Sequence, residues 1–212
     1  MKHPRIRPRI TALAVLTAAA VLASACSDDG ADAPSDTITY SSQHEVPCLV
    51  GTWIQHAYLM RQYTDALVDQ DSQGKIVPWL ATAWSQSDDG KTWSFTLKPN
   101  VKFTDGTALD AQAVKTNADD YWFNAKTGGN WVAHAYLDTV WDSLTVTGPL
   151  TFEIHLKERY SPLLEVLSHE YFGILSPKSL AAGETSYCQR PVGSGPYVVT
   201  DWIRGDHVTF TR

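Results

Sequence analysis

Two Asp-Gly pairs, Asp89-Gly90 and Asp105-Gly106, punctuate the stretch from Pro78 to Asp120 and leave that part of the chain few choices. Both residues of such a pair accept positive φ, so each pair marks a tight turn. Between them Trp93, Phe95 and Leu97 alternate with Ser94, Thr96 and Lys98, the period of a half-buried strand. Val101 and Phe103 resume the alternation after Pro99-Asn100. Ahead of the first pair, Pro78 with Leu80, Ala83 and Trp84 at helical spacing predicts a helix that Asp89-Gly90 stops. Beyond the second, Asp110 stands where an N-cap would, before a helix carrying Val114, Ala118, Tyr121 and Trp122 on one side.

The flanking chain reads in the same way. Thr37–Ser41 is a short β-prone run, and Trp53–Ala66 predicts a helix with Leu59, Tyr63 and Ala66 on one face. Residues 67–77 return through a turn at Gly74. Leu144 and Val146, then Gly148-Pro149, then Phe152, Ile154 and Leu156 predict a hairpin. Ser161-Pro162 opens a short helix through Leu167, Phe172–Leu175 reads as a buried strand, and Pro177 restarts a helix that Gly183 ends. Residues 197–212 predict two strands joined at Gly205-Asp206, a better account of Arg204-Gly205-Asp206 than an integrin ligand.

The N-terminus is built for export. Lys2, Arg5, Arg7 and Arg9 precede an apolar run, Ile10–Ala23, too short to span a bilayer comfortably, and Ala23-Ser24-Ala25-Cys26 is a small-residue cleavage site. It resembles a bacterial lipoprotein signal, with Ala23 where Leu is usual; Ala23 and Ala25 also satisfy an Ala-x-Ala site for ordinary secretion. Residues 1–25 are thus the signal, Cys26 the lipidation candidate, and 26–36, reading CSDDGADAPSD, a tether too polar to bury itself. Of the 17 basic residues four lie before Cys26 and no acids do, so 13 basic residues face 23 acidic ones beyond it. A chain so acidic lacks the footprint of a nucleic-acid binder. Outside the cytoplasm Cys48 and Cys188 either pair or stay free thiols.

Catalytic and metal patterns are weak. Gly193-Ser194-Gly195 has the wrong spacing for a nucleophile elbow. His169-Glu170 has Gly173 where a zinc protease needs its second histidine, and the seven histidines are scattered. These residues carry no catalytic, metal or cofactor signature, and neither catalysis nor a bound metal or cofactor is expected of them.

Taken in order, Pro-x-Leu-Ala-x-x-Trp (78–84), Asp-Gly-Lys-x-Trp-x-Phe-x-Leu (89–97), Lys-Phe-x-Asp-Gly (102–106) and Ala-x-x-Val (111–114) resemble the family 5 solute-binding proteins of ABC importers. That group includes oligopeptide-, dipeptide- and nickel-binding proteins. Pro191-Val192-Gly193-Ser194-Gly195-Pro196-Tyr197 is similar to the family's Pro-x-Gly-x-Gly-Pro-Tyr turn. The resemblance implies an α/β fold of the periplasmic-binding-protein type II kind, with mixed sheets and flanking helices. It implies lobe I from residues 37–66 and 185–212, with 67–184 as an inserted smaller domain. Members run to more than twice this length, so the chain is expected to be an N-terminal fragment without the second lobe.

By the same resemblance the protein is a monomeric, lipid-anchored or periplasmic captor of peptides that delivers them to membrane permease subunits. Nickel, a nickel chelate or an oligosaccharide is the alternative cargo, and a secreted hydrolase the alternative class. Placing Cys48 and Cys188 in one lobe favours their disulfide. Position in the family also points to Gly51, Thr52 and Trp53, after the first strand, and to Asn130 and Trp131, where the Lys126–Asn130 loop ends, as ligand contacts. Trp53 and Trp131 remain open to a second reading, as core anchors.

Overall fold

The computed structural model describes residues 45, 47–50, 57–123 and 130–212. The strand expected at Thr37–Ser41 and the beginning of the helix expected from Trp53 lie outside them. In chain order, α1 (Ala57–Tyr63) leads into a hairpin of β1 (Val68–Gln70) and β2 (Ile76–Pro78), turned at Gly74 with φ 78°. Next come β3 (Ala81–Gln86) and β4 (Thr92–Leu97), then α2 (Ala111–Asn117), which continues into a single π-helical turn at Ala118–Trp122. After α3 (Trp131–Leu137), β5 (Trp141–Gly148) and β6 (Thr151–Leu156) form the expected hairpin. Three short helices follow, α4 (Leu163–Leu167), α5 (Pro177–Ala181) and α6 (Glu184–Gln189). The last hairpin is β7 (Val198–Ile203) with β8 (His207–Thr211).

Alternation on β4 and β6 generates the main sheet. Its order is β3-β4-β6-β5, and every strand pair among the described residues is antiparallel. Trp93, Phe95 and Leu97 meet Phe152, Ile154 and Leu156 on one buried face. Phe95 sits opposite Phe152 with ring centroids 5.2 Å apart, a cross-strand aromatic pair that fixes the register. Asp110 caps α2 as expected, accepting from the Ala113 N–H at 2.8 Å. Trp122 is fully buried, edge-on to Phe172 and Trp141.

Two expected elements are corrected. No helix forms over residues 78–84: Pro78 ends β2, Trp79 and Leu80 connect, and Ala81–Trp84 belong to β3, because their backbone groups are claimed by neighbouring chain: Ala81 N–H donates to the Leu67 carbonyl at 2.7 Å, and Trp84 pairs with Phe95. A bulge between Ala81 and Ala83 breaks the period-2 signal and leaves apolar residues at a spacing that mimics a helix. Phe172–Leu175 is buried but is not a strand. Ile174 N–H donates to the Asp65 carbonyl (2.9 Å) and Leu175 N–H to the Asn117 Oδ1 (2.8 Å), while Asn117 Nδ2 returns a bond to the Leu175 carbonyl (2.7 Å). One buried amide side chain thus satisfies the backbone that a sheet ladder would otherwise serve. The helix α6 directly after Gly183 was not expected; Val101–Phe103 contributes only an isolated bridge, Lys102 to Ala108.

Candidate ligand-binding face

The end of α1 is where distant parts of the chain converge. Gly195 N–H donates to the Tyr63 carbonyl at 3.1 Å and Tyr197 N–H to the Gln62 carbonyl at 2.9 Å. A Cβ on Gly193 would stand 2.0 Å from the Tyr63 carbonyl oxygen, and one on Gly195 2.6 Å from the Tyr63 carbonyl carbon. The glycines of Pro-Val-Gly-Ser-Gly-Pro-Tyr are therefore required by backbone packed against backbone. Between them Ser194 reaches out, its hydroxyl donating to the Asp65 Oδ2 at 2.7 Å. Asp65 Oδ1 accepts from the Trp79 Nε1–H at 2.8 Å. One carboxylate so ties together the exit of α1, the β2–β3 connection and the glycine turn.

Beside this node opens a cavity of about 190 Å³ lined by Arg61, Asp65, Asp69, Trp79, Glu170 and Gly173, among others. Trp79 is 45% exposed. Arg61 pairs with Asp69 at 2.7 Å and donates a second bond to the Ser168 carbonyl at 2.7 Å; Glu170 stands 3.9 Å from its Nε. Burial, with Glu170 and then Tyr136 adding to it, raises the neighbouring Tyr171 hydroxyl to a pKa of about 12.

The helix α3 packs against residues 169–172. Asn130, fully buried, is its N-cap: Oδ1 accepts from the Ala133 N–H at 3.2 Å, and Nδ2 donates to the Tyr171 carbonyl at 2.5 Å. Asn130 therefore holds the start of α3 against the segment that also lines the cavity. Trp131, the first residue of the helix, is 49% exposed, and Tyr136 stacks on His169 with centroids 5.7 Å apart. Of the expected contacts, Asn130 and Trp131 are thus adjacent, one buried and one facing out. Gly51, Thr52, Trp53 and Cys26 lie outside the described residues.

The approach to Gly51 is nevertheless anchored. Cys48 and Cys188 are joined by a disulfide across 140 residues of sequence. Leu49 N–H donates to the Cys188 carbonyl at 2.9 Å, and the Tyr63 hydroxyl donates to the Leu49 carbonyl. Desolvation pushes that buried hydroxyl's pKa well up, so it stays a donor.

Sequence reasoning did not single out Asp65, Arg61, Trp79 or Glu170 as a group. Trp79 falls at the variable position of Pro-x-Leu-Ala, and the others carry no motif.

Comparison with known proteins places this architecture. The family profile described as "Bacterial extracellular solute-binding proteins, family 5 Middle" matches residues 75–212. The chain belongs to that family. Among its relatives, the nickel-binding periplasmic protein of Escherichia coli (strain K12) is 31% identical over 176 residues, covering 78% of this chain and 32% of the relative. The glutathione-binding protein GsiB of Salmonella paratyphi A is 32% identical over 148 residues, covering 70% of this chain and 28% of the relative. The crystal structure of NikA from Brucella suis in complex with Fe(III)-EDTA superposes with a TM-score of 0.70 at 31% identity, over 82% of this chain and 35% of that one. This family 5 chain spans about a third of the length of the relatives it matches. Its α/β fold is that of the periplasmic binding proteins, covered in part.

Proposed function

We propose that the protein is the substrate-binding component of an ABC importer and that it captures short peptides outside the cytoplasm. The observation that carries this reading is the family match across residues 75–212, together with a glutathione-binding relative, since glutathione is itself a small peptide. An extended peptide suits a cleft protein, because backbone hydrogen bonds give affinity whatever the side chains. Residues 67–184 would form the inserted domain, and 37–66 with 185–212 part of lobe I. Closure of the complete protein around its ligand would be driven by tighter binding to the closed state, which then docks on the permease. Cys26 would carry the lipid that holds the protein at the outer side of the membrane. A nickel chelate is the second reading, favoured by the nickel-binding relative.

Ligand contact is assigned to the loop Gly51–Trp53 and to Trp131, with Asn130 fixing the position of Trp131. An exposed indole at the first turn of α3 can cover apolar ligand surface and still donate a hydrogen bond. The test is a calorimetric titration of the complete encoded protein with alanine peptides of increasing length. Trp53→Ala and Trp131→Ala should each weaken saturable binding by roughly tenfold or more while the ligand-free melting temperature stays near wild type. Normal peptide binding by both variants would remove these contacts; no peptide binding by wild type would remove the peptide. Cys26→Ser should release the protein from the membrane fraction, and retention there would rule the anchor out.

A further inference from the structure

We propose that the Cys48–Cys188 cystine is a thiol-exchange site, opened in the folded protein by a dithiol reductant, and that its opening unlatches residues 47–50 from the end of α1. The claim holds whatever solute the protein captures. Both cysteines are half-buried. The two residues after Cys188, Gln189 and Arg190, line a cavity of about 250 Å³ together with Val199, Asp201, Trp202 and Arg204.

Charge favours exchange at this cystine. Arg204 donates to the carbonyl of Pro47, the residue before Cys48, at 3.2 Å, and its guanidinium stands 4.7 Å from the centre of the Trp202 ring. Arg190 approaches from the Cys188 side of the same cavity. Neither guanidinium has an ion pair among the described residues, and the carboxylate in the lining, Asp201, faces His207 at 3.9 Å. Exchange begins with attack by one thiolate and releases another, so positive charge beside the sulfurs favours both approach and departure. One thiolate of the dithiol bonds to a cystine sulfur as the S–S bond breaks. The second thiol then displaces that sulfur, leaving Cys48 and Cys188 as thiols and the reductant as its own disulfide. Two electrons and two protons pass to the protein.

The crosslink decides whether the segment stays in place. Residues 47–50 form no helix or strand, and their bonds reach far across the sequence. Leu49 N–H donates to the Cys188 carbonyl at 2.9 Å, the Leu49 carbonyl accepts from the Tyr63 hydroxyl, and the Pro47 carbonyl accepts from Arg204. Leu49 and Val50 are buried. Two aliphatic side chains and three hydrogen bonds are set against the ordering of four residues of backbone, contributions of similar size and opposite sign. Release takes the acceptor from the Tyr63 hydroxyl, and Tyr63 is also the residue whose carbonyl holds the Gly195 N–H. The state of the cystine is thereby conveyed to the glycine turn, where Ser194 meets Asp65.

The experiment treats the complete encoded protein with dithiothreitol well below its melting temperature, traps free thiols by alkylation, and follows Cys48 and Cys188 by peptide mapping. Wild type should be reduced while its far-UV circular dichroism is unchanged, and Arg190→Gln combined with Arg204→Gln should slow reduction several-fold. In the reduced protein amide exchange should quicken by roughly tenfold or more at Leu49, and also at Gly195, with the amides of β4 and β6 unmoved. The double variant Cys48→Ser, Cys188→Ser should show that exchange pattern without reductant. Reduction no faster than global unfolding, or equally fast in the arginine variant, would overturn the exchange site. Unchanged exchange at Leu49 after full reduction, or a gain shared equally by β4 and β6, would overturn the latch. A gain at Leu49 with none at Gly195 would overturn its link to the glycine turn.

Discussion

Asn117 offers the sharpest test of how the core is held. Its amide is fully buried and serves the segment at Leu175 twice, accepting from the backbone N–H at 2.8 Å and donating to the carbonyl at 2.7 Å. Asn117→Ala strands both groups where water cannot replace the lost partner. Each unsatisfied buried group costs about 1–3 kcal/mol, so the substitution should destabilise by about 2–6 kcal/mol. Against a domain stability of about 5–15 kcal/mol, that is a large fraction. With a urea dependence near 2 kcal/mol per molar, a loss of about 4 kcal/mol lowers the unfolding midpoint by about 2 M. Urea titration followed by tryptophan fluorescence measures it. Thr116→Ala, which removes one exposed hydroxyl contact to the Gln112 carbonyl, should stay within about 0.5 kcal/mol of wild type as a control. A midpoint shift below about 0.5 M for Asn117→Ala would refute the claim that this side chain substitutes for a sheet ladder.

Gly195→Ala should destabilise by several kcal/mol, since its Cβ would press on Tyr63 backbone that cannot yield; a melting temperature within a degree or two of wild type would show that the turn can move away. Non-reducing peptide mapping should recover Cys48 and Cys188 linked, and reduction should lower the melting temperature, a crosslink spanning 140 residues being worth at most about 5 kcal/mol in the chain-entropy model. For the Asp105 carboxyl, burial is the largest influence and works upward, yet hydrogen bonds from the Ser176 hydroxyl and Thr107 together leave its pKa below the ordinary value. Its stabilising contribution is therefore present above the unfolded carboxyl pKa and fades as pH falls through the lowered folded value. Asp105→Asn should flatten the acid limb of stability against pH, and an unchanged acid limb would contradict that linkage.

Much of the fold was legible because side chains announced it locally. The alternation of Trp93, Phe95 and Leu97, the Asp110 cap and the hairpin of Leu144 through Leu156 depend on neighbours in sequence, and all appear as expected. Residues 78–84 misled because a bulge shifts the pattern and because Leu67, distant in sequence, claims the backbone of Ala81. Phe172–Leu175 misled because apolar runs mark burial, not the partner that satisfies the backbone, here a side chain 58 residues away. The glycine turn was recognisable as a motif, but its reason, contact with Tyr63, is a tertiary fact. At the candidate face Trp131 and Asn130 were named from position, whereas the cavity at Asp65 is assembled from four segments that no local pattern connects.

The most direct test of solute capture is a thermal-shift panel on the complete encoded protein against short peptides, Ni²⁺ with and without a small chelator, and oligosaccharides. A ligand bound only by the folded form at a hundred times its dissociation constant adds about 2.7 kcal/mol of stability, enough to raise the melting temperature by several degrees. Peptides should produce that rise, saturating with concentration, while sugars and nickel leave the transition where it was. A shift with nickel chelate or sugar and none with any peptide would contradict the account.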